Sequence, residues 1–143
     1  MFLKVPPGLR RSWEAPNPVA GRLSSRKFKI SIEDRFLTTV IDDPSLFILD
    51  TPSTPLVECA ATKANIIIYS GALMFGLTPD AKESLKNRAT CCDTEKEFLA
   101  SIDAQLAAGM PDTNDDIDDT FLLKYGTHLG DGKSLDRIMA ALT

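Results

Sequence analysis

Histidine is too scarce in this 143-residue chain to build a multi-histidine metal site. His128 is the single histidine, and no serine or cysteine at a nucleophile elbow stands ready to pair with it. Of the three cysteines, Cys91 and Cys92 are adjacent, which is poor geometry for a bridge or a metal clamp. Three thiols make no disulfide framework, so a reducing, cytoplasmic setting is expected. Long apolar runs are missing: nothing approaches the roughly 20 residues of a membrane span. Met1–Val5 is too short, and too soon interrupted by Pro6-Pro7-Gly8, for a signal peptide. The segment from Gly71 to Gly76 contains no Gly-Lys-Ser/Thr, which excludes a P-loop. Five aspartates (112, 115, 116, 118 and 119) lack the glycine and the closing glutamate of a calcium loop and read as a solvated acidic stretch. No metal and no cofactor is expected.

Positive charge is also in deficit. The net charge is −4, with 43% hydrophobic and 25% charged residues, the make-up of a globular protein. Nucleic-acid binding needs a broad basic surface and is not expected. The deficit is uneven: residues 1–40 carry +5 and the remainder −9. The basic third suits an anionic ligand or a peripheral contact with an anionic membrane, and equally an ordinary solvated loop.

What is present is an alternation of apolar runs and helical periodicities. Phe2–Val5 reads as a strand, residues 6–25 as a long Pro/Gly-rich loop anchored by Trp13, and Phe28–Ile32 as a second strand. A short helix is expected over Asp34–Asp42 from the spacing of Phe36, Leu37, Val40 and Ile41. Leu46–Leu49 and Ile66–Tyr69 are uniformly apolar, as in strands covered on both faces. A helix over Thr54–Lys63 joins them. Pro79–Arg88 is amphipathic behind a Thr78 N-cap, and Ala89–Cys92 is a last short strand. Asp93 or Thr94 caps a helix over Glu95–Ala108, whose core face is Phe98, Leu99, Ile102 and Leu106 and which Gly109 stops. Two helices close the chain, Thr120–Tyr125 and Ser134–Leu142. Strands alternating with helices imply an α/β fold: a Rossmann-like parallel sheet of about four to five strands with helices on both faces, in one domain over residues 1–143.

The segment Asp50-Thr51-Pro52-Ser53-Thr54-Pro55-Leu56-Val57-Glu58 carries the chemistry. A buried strand ends in Asp50, hydroxyl residues crowd the turn, and a proline opens the helix. Ligands of parallel sheets bind beyond the carboxyl ends of strands, and a helix start presents free N–H groups that suit a phosphate. The same residues also fit an ordinary turn and N-cap, with Thr54 before Pro55 as the cap.

This segment, the following Asn65-Ile66-Ile67-Ile68-Tyr69, and the tail Phe121-Leu122-Leu123-Lys124-Tyr125, Asp131-Gly132-Lys133-Ser134 and Arg137-Ile138 resemble the C-terminal, donor-binding half of GT-B glycosyltransferases of bacterial surface polysaccharides. The likeness to CDP-glycerol glycerophosphotransferases is more distant; their Lys-x-His-Pro element meets Lys4-Val5-Pro6-Pro7 here, with Pro6 at the histidine position. The resemblance implies a chain that begins near the second strand of that half. It implies a nucleotide-diphosphate sugar as ligand, held by Thr51, Ser53 and Thr54 at the pyrophosphate, Glu58 at the ribose or sugar hydroxyls and Lys4 at phosphate charge. It also implies that the acceptor base lies in another domain, and that an acceptor domain or a second copy covers the truncated side. A noncatalytic binding or assembly module of the same fold is the alternative.

Overall fold

The computed structural model describes residues 2–4, 31–33, 35–71, 76–109, 116–126 and 132–141. The loop over 6–25 with Trp13, the start of the expected Phe28–Ile32 strand, and His128 lie outside them. The chain divides into two compact units, Met1–Val40 and Ile41–Thr143.

In the first unit, β1 (Phe2–Lys4) and β2 (Ser31–Glu33) pair in parallel, with Lys4 opposite Glu33. The helix expected over Asp34–Asp42 is absent. Only a 3₁₀ turn forms, Leu37–Thr39, and Phe36 before it is extended and 67% exposed. Four β-branched residues (Thr38, Thr39, Val40, Ile41) resist a helix, and Pro44 disfavours helical backbone at Asp43 before it.

The second unit is an α/β layer structure. Its sheet runs β3 (Leu46–Leu49), β4 (Asn65–Tyr69) and β5 (Thr90–Cys92), all parallel, in spatial order β3-β4-β5. Helix α1 (Thr54–Ala60) connects β3 to β4, and α2 (Pro79–Leu85) connects β4 to β5. Both connections step the same way along the sheet, so right-handed crossovers set both helices on one face. There α4 (Thr120–Tyr125) packs across α1 and α2. The other face takes α3 (Glu95–Ala108), which lies on β4 and β5 with the Phe98 ring 5.8 Å from that of Tyr69. Side chains alternate along β4, so Ile67 shares the Tyr69 face while Ile66 and Ile68 turn toward α1 and α2. All three isoleucines are buried. Leu56, Cys59, Ala60, Leu85, Phe121 and Leu122 complete the core.

Five strands are thus described, in a three-stranded and a two-stranded sheet rather than one. Among the described residues β3 is the edge of its sheet, not a central strand, and Leu46, Ile48 and Leu49 are accordingly only half-buried. The helix expected to reach Lys63 ends at Ala60, and that expected to reach Arg88 ends at Leu85. Leu99, expected in the core, is 52% exposed: α3 turns Phe98, Ser101, Ile102 and Leu106 inward instead. Its start is a capping box, with Thr94 accepting from the Glu97 N–H and Glu97 from the Thr94 N–H. On α5 (Ser134–Ala141), Leu135, Ile138 and Met139 are exposed at i, i+3 and i+4. No helix among the described residues is long and apolar enough to cross a membrane.

Carboxylates tie α2 to its neighbours. Asp80 accepts from Lys124, at 2.6 Å, and from the Tyr125 hydroxyl. Asp118 accepts from the Thr120 N–H at 2.9 Å and from Asn87 at 2.8 Å. Thr120 and then Asn87 pull the Asp118 pKa down to about 2, and Lys124 and Tyr125 lower that of Asp80. A carboxyl depressed by folding contributes stability above its unfolded value, about 3.9, and that contribution is lost as pH falls through its folded value. The α2–α4 contact is therefore expected to loosen between about pH 4 and about pH 2. The amide signals of Thr120–Tyr125 should report it in an acid titration, and Asp118→Ala should flatten the response.

Candidate functional site at the carboxyl end of the sheet

The apolar run of β3 stops at Asp50, and Asp50 to Ser53 turns the chain into α1. Pro55 sits in the first turn, where its missing N–H needs no partner. The N-cap is Ser53 rather than Thr54. Its backbone is extended (φ −139°, ψ −172°), and its carbonyl accepts from the Leu56 N–H at 2.8 Å, yet its hydroxyl makes no capping bond. That is unusual use of a serine, whose side chain at this position ordinarily accepts from the first turn. Ser53 and Thr54 are exposed, and Thr51 and Glu58 half-buried. Because α1 buries Leu56, Cys59 and Ala60, Thr54 and Glu58, four apart, share a face away from the core. The structure therefore brings Thr51, Ser53 and Thr54 into one turn with Glu58 one helical turn on. Lys4 belongs to the other unit, at the end of β1.

The loops that leave β4 and β5 are fastened to each other. Ser70, 2% exposed, donates its N–H to the Cys92 carbonyl at 2.7 Å and its hydroxyl to Asp93 Oδ1 at 2.7 Å. Lys82 completes the group by pairing with Asp93, whose pKa it lowers, with Ser70 adding to the effect. Gly71 follows because nothing larger fits: a Cβ there would stand 1.8 Å from the Asp93 carbonyl oxygen. Sequence reasoning passed over Ser70 and Lys82 and took Asp93 only as a candidate helix cap; the one signal for the group is that Ser70 and Asp93 directly follow strands.

At the far end of α1 stands a second group without a sequence signal. Arg88, 6% exposed, donates Nε–H to the Ala60 carbonyl at 3.1 Å and Nη2–H to those of Cys59 at 3.1 Å and Thr62 at 2.5 Å. The negative pole of the helix favours a cation here. Burial pulls the Arg88 pKa below its ordinary value, but a guanidinium stays charged. Cys59 beside it is fully buried, and desolvation pushes its thiol up to about 12, which makes it inert.

Two cavities lie at the opposite, amino end of the sheet. One of about 440 Å³ is bounded by the strand starts Leu46, Asn65 and Thr90 and by Ala104 and Ala108 of α3. The other, about 210 Å³, lies between Asp42, Pro44 and Thr62–Ala64. Neither includes the turn after β3. Among the described residues no cluster of His, Cys, Asp or Glu has the make-up of a metal site. No family model matches the chain, and no curated protein or solved structure matches it either.

Proposed function

We propose that this chain is the nucleotide-sugar donor-binding portion of a glycosyltransferase of surface polysaccharide synthesis, working in the cytoplasm. The observation that carries the reading is the Ser53 hydroxyl, which stands at the carboxyl end of a parallel strand, in a hydroxyl-rich turn, without a capping bond. Thr51, Ser53 and Thr54 would donate to the pyrophosphate, and Glu58 would accept from the ribose diol. Placed donors of this kind stabilise a departing nucleoside diphosphate electrostatically. The acceptor and its base belong to a partner, either an acceptor domain or a second copy of this chain. The exposed apolar residues of α5 support a partner's presence, since large uncovered apolar patches are rare on monomers.

The test is a titration of backbone amide signals with UDP, CDP and GDP. One of them should move residues 50–58, with an affinity in the millimolar range, about −4 kcal/mol, because Ser53 and Thr54 are exposed and leave one face of the ligand in water. Ser53→Ala should weaken binding about fivefold, the net worth of one hydrogen bond at about 1 kcal/mol. Its unfolding midpoint should stay put, since no cap is lost.

A second reading is a noncatalytic binding or assembly module. It is favoured by the position of the two cavities, at the amino end and away from the turn. No movement of residues 50–58 at several millimolar of any of the three nucleotides would select it.

A further inference from the structure

We infer that Arg88 is a positioning residue for Glu58, an inference that rests on the donor-site reading. The guanidinium holds the carbonyls of Cys59 and Ala60, the two residues that follow Glu58, together with that of Thr62. Three bonds from one planar group fix both the axial position and the rotation of the last turn of α1. A single hydrogen bond would fix neither, and a lysine ammonium, whose three donors rotate on a flexible stem, would not hold the carbonyls in one fixed plane. Glu58 lies on that turn and is half-buried, so the origin and direction of its Cα–Cβ bond are set by the backbone that Arg88 grips. The turn that carries Ser53 is at the other end of α1, about 10 Å away at 1.5 Å per residue, and is held separately by β3. The clamp therefore acts on the diol contact and not on the phosphate contact.

The deciding measurement compares UDP (or CDP or GDP in its place, where that is the nucleotide that moves residues 50–58) with its 2′-deoxy counterpart on the full chain by amide titration. The wild-type protein should prefer UDP by about tenfold, the worth of a hydrogen bond to a charged carboxylate. Glu58→Gln should reduce that preference toward parity. Arg88→Lys should reduce it to about twofold or less, while the affinity for the deoxy ligand changes less than about twofold, since the phosphate contact stays. A role in stability alone would lower the unfolding midpoint and leave the preference at its wild-type value, and that result overturns the inference. In the wild-type protein the Arg88 Nε–H resonance should shift with UDP and not with the deoxy ligand. A resonance that neither ligand moves overturns the inference even where the Arg88 variants fail to fold. If UDP moves residues 50–58 but shows no ribose preference, the inference falls and the donor-site reading stands. If no nucleotide moves them, both fall.

Discussion

Arg88→Met is expected to destabilise the second unit by about 2–4 kcal/mol, through several buried carbonyls that lose their donor together. Methionine fills a similar volume, so the loss comes from hydrogen bonding and charge rather than from a cavity. The Cys59 carbonyl keeps partners, since it also accepts from Thr62 N–H at 3.0 Å and Thr62 Oγ at 2.8 Å. Its share of the loss is therefore the smallest. Arg88→Lys retains the charge against the helix pole and should fall between the two. The measurement is a denaturant midpoint at unchanged slope. The buried, unreactive Cys59 thiol supplies an independent reporter: its modification rate should rise with the population of opened molecules. A midpoint shift under about 0.5 kcal/mol would show the guanidinium to be dispensable, as most surface changes are.

Gly71→Ala should cost about 3 kcal/mol, the upper end for overpacking, because the obstacle is backbone. The added methyl would lie 1.8 Å from the Asp93 oxygen and 2.7 Å from its carbonyl carbon, and neither can rotate away. Relief requires β4 and β5 to part at their carboxyl ends, so exchange of the Ser70 N–H bonded to Cys92 should quicken more than that of Ile67. Gly109 is the control. It has φ of 97° but nothing within 4 Å of a Cβ. Alanine there meets only the backbone preference, about 1–3 kcal/mol, with no effect on Ser70. Equal quickening of Ser70 exchange by the two substitutions would refute the steric account.

The apolar runs at Leu46–Leu49 and Ile66–Tyr69, the Thr78 cap and the Gly109 stop were legible because each is a local signal that tertiary packing then used. So was the placement of Asp50–Glu58 at a strand's carboxyl end, which follows from the order strand, turn, helix. Other features were not legible for identifiable reasons. Helical spacing over Phe36–Ile41 lost to β-branching and to Pro44. Leu99 looked like core because periodicity gives a face, not whether a three-stranded sheet is wide enough to cover it. Arg88 read as a polar helix end; only the fold brings it to carbonyls 26–29 residues earlier in the chain. Ser70 and Asp93 are 23 residues apart and meet only because β4 and β5 pair.

The order β3-β4-β5 has one more consequence. Since both connections cross on the same face, the three strands contain no topological switch point, the place where neighbouring loops diverge to opposite faces and leave a crevice. Between β4 and β5 the loops are in fact stitched shut by Ser70 and Asp93. Among the described residues β3 and β5 are the two edges of this sheet, so a switch point would have to lie outside one of them. If the hydroxyl turn after β3 is a ligand site, it supplies one wall of the cleft, and the opposite wall would come from whatever lies against the outer edge of β3. On the donor-site reading, the choice of nucleotide base would then rest with that opposite wall rather than with residues 50–58.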